Sequence, residues 1–86
     1  MQIEGLHVKR CVSEFGNGEV LLDYLVRNER SKPVDIFIYR PGALKPDWEF
    51  VSDGAFKRVR VRVRKEDLPL LEVHVNYDVS KPPLLI

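Results

Sequence analysis

Four arginines alternate with valines in one segment of the chain, at Arg58, Arg60, Arg62 and Arg64. In an extended strand, residues two apart point to the same face and lie roughly 6.5–7 Å apart. Successive phosphates of an extended nucleic-acid strand have a similar spacing, and a guanidinium group binds a phosphate or a carboxylate through two parallel hydrogen bonds. With Lys57 beside them, the four arginines are therefore a candidate face for an anionic partner, either a nucleic acid or an acidic protein surface.

The same arginines fit a second, structural interpretation as a solvated outer face. If the arginine strand formed a hairpin with the next strand, the arginines would face its polar residues, which are Glu72, His74, Asn76 and Asp78. Cross-strand pairs of opposite charge stabilise a sheet by roughly 0.2–1 kcal/mol. Phe56 is the one aromatic residue within the stripe, so the stacking platform typical of single-strand binders is missing. We therefore favour the solvated face over an acidic protein partner, and both over nucleic acid.

The two histidines and the single cysteine do not form a recognisable site in the sequence. His7 and Cys11 have the same strand parity, so they are expected on one face of a strand. Four residues of strand span roughly 13 Å, which is too far for a Cys–His pair or for a shared metal ion. His74 has no cysteine or carboxylate partner at motif spacing. Neither a metal site nor a catalytic cysteine is predicted.

Two aspartates in apolar strands could take part in acid–base chemistry. If the strands of Asp23 and Asp35 were neighbours, the two carboxylates could act as a general acid and base. More commonly such a residue faces solvent and pairs with a basic side chain, for which Arg27 and Arg40 are the expected partners. The sequence also lacks the motifs of phosphate-binding loops, nucleophile elbows and metal-binding helices. No catalytic residue, cofactor or small-molecule substrate is predicted.

Two apolar features are candidates for protein interaction. Trp48 follows a long loop that starts at Pro41, and an exposed tryptophan there would be a binding hot spot. The structural interpretation, which we favour, is that this tryptophan plugs one end of the core. The chain ends in three apolar residues, Leu84, Leu85 and Ile86. They are expected either to complete a sheet of this domain, which we favour, or to add a strand to the sheet edge of a partner.

The composition excludes several classes of protein. The 86 residues contain 14 Lys and Arg against 13 Asp and Glu, which gives a formal net charge of +1, and 44% are hydrophobic. The chain is too short for two ordinary domains and too apolar to be disordered throughout. It also has no run of ~20 apolar residues, the length that a membrane helix needs. One cysteine allows no intrachain disulfide, and no signal peptide is visible, so a cytoplasmic location is expected.

Alternation between apolar and polar residues predicts six strands. They cover residues 3–13, 20–28, 34–39, 48–52, 55–64 and 71–79. Asn17-Gly18 and Asp53-Gly54 predict tight hairpin turns, because these residues tolerate positive φ angles. The second strand is apolar on both faces, as expected for a central strand buried between layers. Residues 65–69 are predicted to form a turn. A helix that begins at Leu68-Pro69 with Asp67 as its cap is the alternative to the sixth strand, and the alternation after Leu71 favours the strand.

The predicted strands resemble an immunoglobulin-like or fibronectin-III-like β-sandwich in their order and length. The resemblance is carried by residues 20–28, 34–39, 55–64 and 70–77. It implies an all-β, single-domain antiparallel sandwich of six to seven strands, with a small β-barrel as the alternative. The Cys…Trp…Cys signature of antibody domains is absent, since the chain has one cysteine. The domain is expected to span residues 1–80, with 81–86 as a short edge strand or a flexible tail.

The small size, the apolar C-terminal segment and the lack of a catalytic constellation predict a non-enzymatic interaction module. We expect an accessory or structural protein that binds a protein partner, or a second copy of itself, through sheet edges and the C-terminal segment. The alternative is nucleic-acid binding through the arginine strand. No membrane binding is expected, because the net charge is close to zero.

Overall fold

Seven β-strands and one 3₁₀ helix follow one another in the part of the chain that the structure describes. The computed structural model describes residues 3–78 and 80–86. The strands are β1 (Leu6–Glu14), β2 (Glu19–Asn28), β3 (Val34–Tyr39), β4 (Asp47–Val51), β5 (Phe56–Arg64), β6 (Glu72–Asn76) and β7 (Leu84–Leu85). The bounds of β3 are as predicted, and the other predicted strands differ from the observed ones by a few residues. Val79, predicted to end the sixth strand, lies outside the described residues.

The strands form two antiparallel sheets. β1, β2 and β5 make a three-stranded sheet in that order, and the second sheet has the order β4-β3-β6-β7. Every ladder within the two sheets is antiparallel. No ladder between described residues joins the two sheets, so they form an open sandwich and the barrel alternative is wrong. The prediction of a small all-β domain is confirmed.

The core lies between the sheets and is built from alternate residues of the long strands. β2 is the central strand of its sheet, as predicted, and its inward positions include Leu22, Tyr24 and Val26, all at most 2% exposed. It is not buried between two layers, because the second sheet covers only its inner face. The other sheet contributes Ile36 and Val75, which are fully buried. Because side chains alternate between faces, the residues between these positions point away from the core and form the outer faces of the sandwich.

The first predicted hairpin is confirmed. Gly18 has a φ of 82°, which is accessible to glycine but rare for other residues, and it lies between β1 and β2. The backbone N–H of Phe15 donates to the carbonyl of Glu19 over 2.8 Å and closes the turn. This hairpin sets the register in which Cys11 faces Asp23 across the two strands.

The second predicted hairpin is wrong. Gly54 does adopt a positive φ of 72°, but the turn carries the chain from β4 in one sheet to β5 in the other. A hairpin between β5 and β6 is also absent, because a 3₁₀ helix (Lys65–Leu70) replaces the predicted turn and crosses between the sheets. The arginines of β5 therefore face β2 and not Glu72 or Asp78.

The C-terminal segment completes a sheet of this domain, as we favoured. β7 pairs with the outer edge of β6, with Leu84 opposite Val75 and Leu85 opposite His74. The N–H of Ile86 donates to the carbonyl of Val73 over 2.9 Å. Among the described residues, none of the helical turns has the length or hydropathy of a bilayer-spanning segment.

Candidate functional site

The outer face of the three-stranded sheet carries the arginine stripe, and we call it the arginine face. Its members in β5 are Arg58, Arg60, Arg62 and Arg64, whose side chains are 51–75% exposed. The valines between them are buried, so the predicted division of β5 into a polar and an apolar side is confirmed. Directly opposite on β2 lie Glu19, Leu21, Asp23 and Leu25.

Lys57 does not belong to the arginine face. It lies opposite the buried Val26 and therefore on the inward side of β5, at the border of the sandwich. Its ammonium group lies 2.9 Å from a carboxylate oxygen of Glu49 and donates to the carbonyl of Phe50 over 3.1 Å. Lys57 thus joins the two sheets at β4 and β5, in place of its predicted role beside the arginines.

Carboxylates lie within ion-pair distance of each arginine on the face. Arg62 Nε donates to Glu19 over 2.6 Å, and Arg64 lies 3.7 Å from Glu66. Arg58 Nε donates to both oxygens of Asp23 over 2.8 and 2.9 Å, and Arg60 lies 3.9 Å from the same carboxylate. The partners differ from those in the predicted hairpin, but the solvated, charge-paired face that we favoured matches this arrangement.

Asp23 is the most enclosed ionisable group of the arginine face, with a side chain only 13% exposed. The hydrogen bonds from Arg58 hold the pKa of the Asp23 carboxyl below its ordinary value; burial opposes this, and the charges of Arg58 and Arg60 add to it. The same contact raises the pKa of the Arg58 guanidinium. Arg58 and Asp23 are thus both held in their charged forms and pair with each other.

A cleft of about 310 Å³ at one end of the arginine face is lined by three arginines, Arg40, Arg62 and Arg64. Acidic groups lie in the same cleft, because Glu19 and Asp67 also line it. Arg40 is engaged as well: its Nε donates to Asp47 over 2.6 Å and its Nη1 donates to the carbonyl of Arg62 over 2.9 Å. The cleft therefore has no excess of unpaired guanidinium groups that would attract a small anion.

The outer face of the four-stranded sheet is aromatic, and we call it the aromatic face. One row of cross-strand neighbours runs across all four strands, from Trp48 to Phe37, His74 and Leu85. Trp48 is 62% exposed and Leu85 is 61% exposed. Phe50 and Tyr39 extend the face along β4 and β3; they are 47% and 44% exposed. Large apolar side chains thus form a continuous surface patch.

A hydrogen bond and two edge-to-face ring contacts hold the rings of the aromatic face in place. The indole N–H of Trp48 donates to a carboxylate oxygen of Asp35 over 2.9 Å. The ring of Trp48 meets that of Phe50 edge to face, with centroids 6.5 Å apart. Tyr39 contacts His74 in the same manner at 4.8 Å. Rings that are already positioned lose little conformational freedom when a partner binds, which favours binding.

The sequence analysis found part of the aromatic face. Trp48 and Leu85 lie together on it, so two of the four residues predicted for protein interaction share one surface. The core-plug interpretation of Trp48, which we favoured, is wrong, since its side chain lies on the outer face and is 62% exposed. Leu84 and Ile86 are half-buried and Ile86 packs against the core, so these two residues are structural.

Phe37, Tyr39, Phe50 and His74 were not predicted for the aromatic face. The alternation in the two segments 35–39 and 48–50 indicated that Phe37 and Tyr39 share a face with Asp35, and that Phe50 shares a face with Trp48. It carried no information on which strands are adjacent, so the four could not be assigned to one surface.

The remaining candidates for chemistry lie apart from one another. Asp23 and Asp35 are on the outer faces of different sheets, and Asp35 bonds Trp48 in place of Arg40. His7 lies 3.4 Å from Glu29, and His74 lies 3.1 Å from Glu72, a partner that we did not predict. Within residues 3–78 and 80–86, no three His, Cys, Asp or Glu side chains converge to hold a metal ion.

Comparisons with known proteins do not identify a family. No protein-family model matches the chain, and no curated protein matches it. Among solved structures, the chain is similar to a protein from Archaeoglobus fulgidus, known from a crystal structure. The two share 17% sequence identity over 94% of this chain and 92% of that one, with a TM-score of 0.40.

Proposed function

We propose that this chain is a non-enzymatic protein-interaction module that binds its partner through the aromatic face. The observation that carries the proposal is the exposed row from Trp48 to Leu85, flanked by Tyr39 and Phe50. Tryptophan and tyrosine are enriched among the residues that dominate binding energy at interfaces. A contiguous exposed apolar patch on a small domain is also a common mark of an interaction surface.

We further assign the fold to the immunoglobulin-like or fibronectin-III-like sandwiches. Support comes from the distribution of strands: the first, second and fifth share one sheet, and the third, sixth and seventh share the other. This matches the grouping of strands A, B and E against C, F and G in immunoglobulin domains. The fourth strand pairs with β3 here, whereas in constant-type domains it joins the first group.

The exposed, unpaired Cys11 thiol supports a reducing, cytoplasmic setting.

Nucleic-acid binding is not the leading proposal, because the arginines of β5 all lie near carboxylates of the same chain. A phosphate backbone would have to displace Glu19 from Arg62 and Asp23 from Arg58. Three of the exposed aromatic rings, which could stack on bases, lie on the outer face of the other sheet, and the arginine side has only Phe56 and Phe15 among the described residues.

Affinity capture with matched variants tests the proposal. The double variant Trp48→Ser/Phe50→Ser removes two rings of the aromatic face, and Leu44→Ser/Leu70→Ser removes two apolar side chains that are more exposed and lie outside both faces. We expect immobilised wild type and the control to retain the same proteins from an extract of the source cells. The aromatic-face variant should lose them by about tenfold or more, as expected for hot-spot residues. Circular dichroism checks that the three proteins are folded. Equal retention by all three proteins would show that the aromatic face is not the binding surface.

A further inference from the structure

We propose that the aromatic face binds the arginine face of a second copy of this chain, an inference that rests on the proposed function. The first support is charge. In the part of the chain that the structure describes, the outward strand residues of the four-stranded sheet include Asp35 and Glu72 but no Lys or Arg. The outward strand residues of the other sheet carry more basic than acidic groups. They include Lys9, Arg27, Arg58, Arg60, Arg62 and Arg64, against Glu19 and Asp23.

The two faces also match in spacing. The arginines of β5 are two residues apart, and so are Phe37 and Tyr39 on β3 and Trp48 and Phe50 on β4. Both sets therefore repeat at roughly 6.5–7 Å along their strands. Sheets that pack face to face keep their strands within about 30° of each other. In that arrangement, successive guanidinium groups of one copy lie over successive rings of the next.

The chain itself contains the contact that this interface would use. The guanidinium of Arg62 lies 4.8 Å from the ring centroid of Phe15, and that of Arg30 lies 5.5 Å from the ring centroid of Tyr77. Stacking of a cation on an aromatic ring stabilises by roughly 0.5–2 kcal/mol, depending on desolvation. An arginine can keep its carboxylate partner at one edge while its planar face covers a ring. The internal ion pairs of β5 are therefore compatible with the interface.

The size of the faces suits a stable contact. The molecule measures 41 × 24 × 18 Å, so a face spanned by its two longer dimensions is larger than the roughly 800 Å² per partner of a standard interface. Because the two surfaces in contact are different, a dimer keeps an open arginine face on one copy and an open aromatic face on the other. Association is then head to tail and open-ended, unlike the closed dimer that two identical surfaces form.

Two complementary variants test the inference. Trp48→Ser/Phe50→Ser removes part of the aromatic face. Arg60→Ser/Arg64→Ser removes the two arginines with the longest carboxylate contacts, 3.9 and 3.7 Å, which disturbs the fold least. By sedimentation velocity at low salt, wild type should form dimers and longer species as its concentration rises. Each variant alone should associate about tenfold more weakly or not at all, whereas Leu44→Ser should behave as wild type.

Mixing the two variants separates this interface from others. Each variant retains the face that the other has lost, so an equimolar mixture should form dimers but nothing longer. Trp48 is the one tryptophan of the chain, so only the arginine variant emits tryptophan fluorescence in the mixture. Its emission should shift when the tryptophan-free variant is added, and the shift should weaken as salt is raised.

Three results would overturn the inference. They are a wild type that stays monomeric at millimolar concentration, an arginine variant that associates as strongly as wild type, and a mixture without dimers. A monomeric wild type whose captured proteins are still lost on Trp48→Ser/Phe50→Ser would leave the proposed function standing with a different partner. Capture and association that are both insensitive to the aromatic-face variant would remove both proposals.

Discussion

At the scale of single residues, Asp23 links the chemistry of the arginine face to the stability of the fold. Its side chain is largely enclosed, and Arg58 bonds both of its oxygens. Because the pKa of this carboxyl is lowered in the folded state, the folded protein favours the ionised form more strongly than the unfolded chain does. The resulting stabilisation is present above the ordinary value of 3.8 and is lost as the pH falls through the lower, folded-state value.

The substitution Asp23→Asn should therefore lower stability at neutral pH and reduce the sensitivity of the fold to acid. We expect the denaturation midpoints of wild type and Asp23→Asn to differ at pH 7 and to converge as the pH falls to about 2. Asp53→Asn, in an exposed turn, is the control and should follow wild type throughout. Urea titrations at several pH values measure the difference. A gap between wild type and Asp23→Asn that stays constant from pH 7 to pH 2 would contradict the role given to this ion pair.

Asn28 is a residue whose importance the sequence did not indicate. It is fully buried at the end of β2, and its side-chain N–H groups donate to the carbonyls of Lys32, Val51 and Ser52. Its side-chain oxygen accepts from the N–H of Arg30. The pattern of β2 predicted a strand that ends here, but the hydrogen bonds to Val51 and Ser52 reach residues distant in sequence. Only the path of the chain brings them to Asn28.

At the scale of the elements, the sequence predicted the strands and their inward and outward faces better than it predicted which strands pair with each other. Alternation is a local property, so the outward arginines of β5 and the bounds of β3 could be read from a few residues each. Pairing depends on where the chain goes between strands. Asp53-Gly54 has the composition of a hairpin turn, yet it joins two sheets, and nothing in residues 65–70 distinguishes a turn from a crossover. The aromatic face depends on that pairing, so it was found only in part.

The C-terminal segment gives a prediction about an element. Ile86 packs against the core and Leu84 is half-buried, whereas Leu85 points outward. Ending the chain at Pro83 exposes this apolar surface and the edge of β6, and should reduce the free energy of unfolding by roughly 1–3 kcal/mol. Leu85→Ser is the matched control and should change it by less than about 0.5 kcal/mol. Chemical denaturation measures both changes. An unchanged free energy of unfolding in the truncated chain would mean that β7 does not contribute to the stability of the domain.

At the scale of the whole molecule, the net charge is only +1, but the two outer faces of the sandwich differ in charge and in aromatic content. One outer face has an excess of basic groups, and the other combines aromatic rings with Asp35 and Glu72. The arginines are held in internal ion pairs, which lowers their attraction for free anions, while their side chains stay at least half exposed. This combination suits contact with another folded surface better than it suits a flexible polyanion.

The internal ion pairs give a last prediction, about nucleic acid. We expect no binding of wild type to a labelled single-stranded oligonucleotide at about 0.15 M salt, because Glu19 and Asp23 compete with phosphate for Arg62 and Arg58. The double variant Glu19→Gln/Asp23→Asn removes these competitors and should bind with a measurable salt dependence. The double variant Asp35→Asn/Glu72→Gln changes the net charge equally on the aromatic face and is the control.

Fluorescence anisotropy at several salt concentrations distinguishes the outcomes of this last experiment. Binding of the arginine-face variant alone would show that the carboxylates mask an otherwise competent surface. Equal binding of both variants would assign the effect to net charge and not to the arginine face. If wild type itself bound with a log–log salt slope of about −3, the value for four phosphate contacts, the arginines would be available as they stand. The ranking of protein over nucleic acid as the partner of this chain would then be reversed.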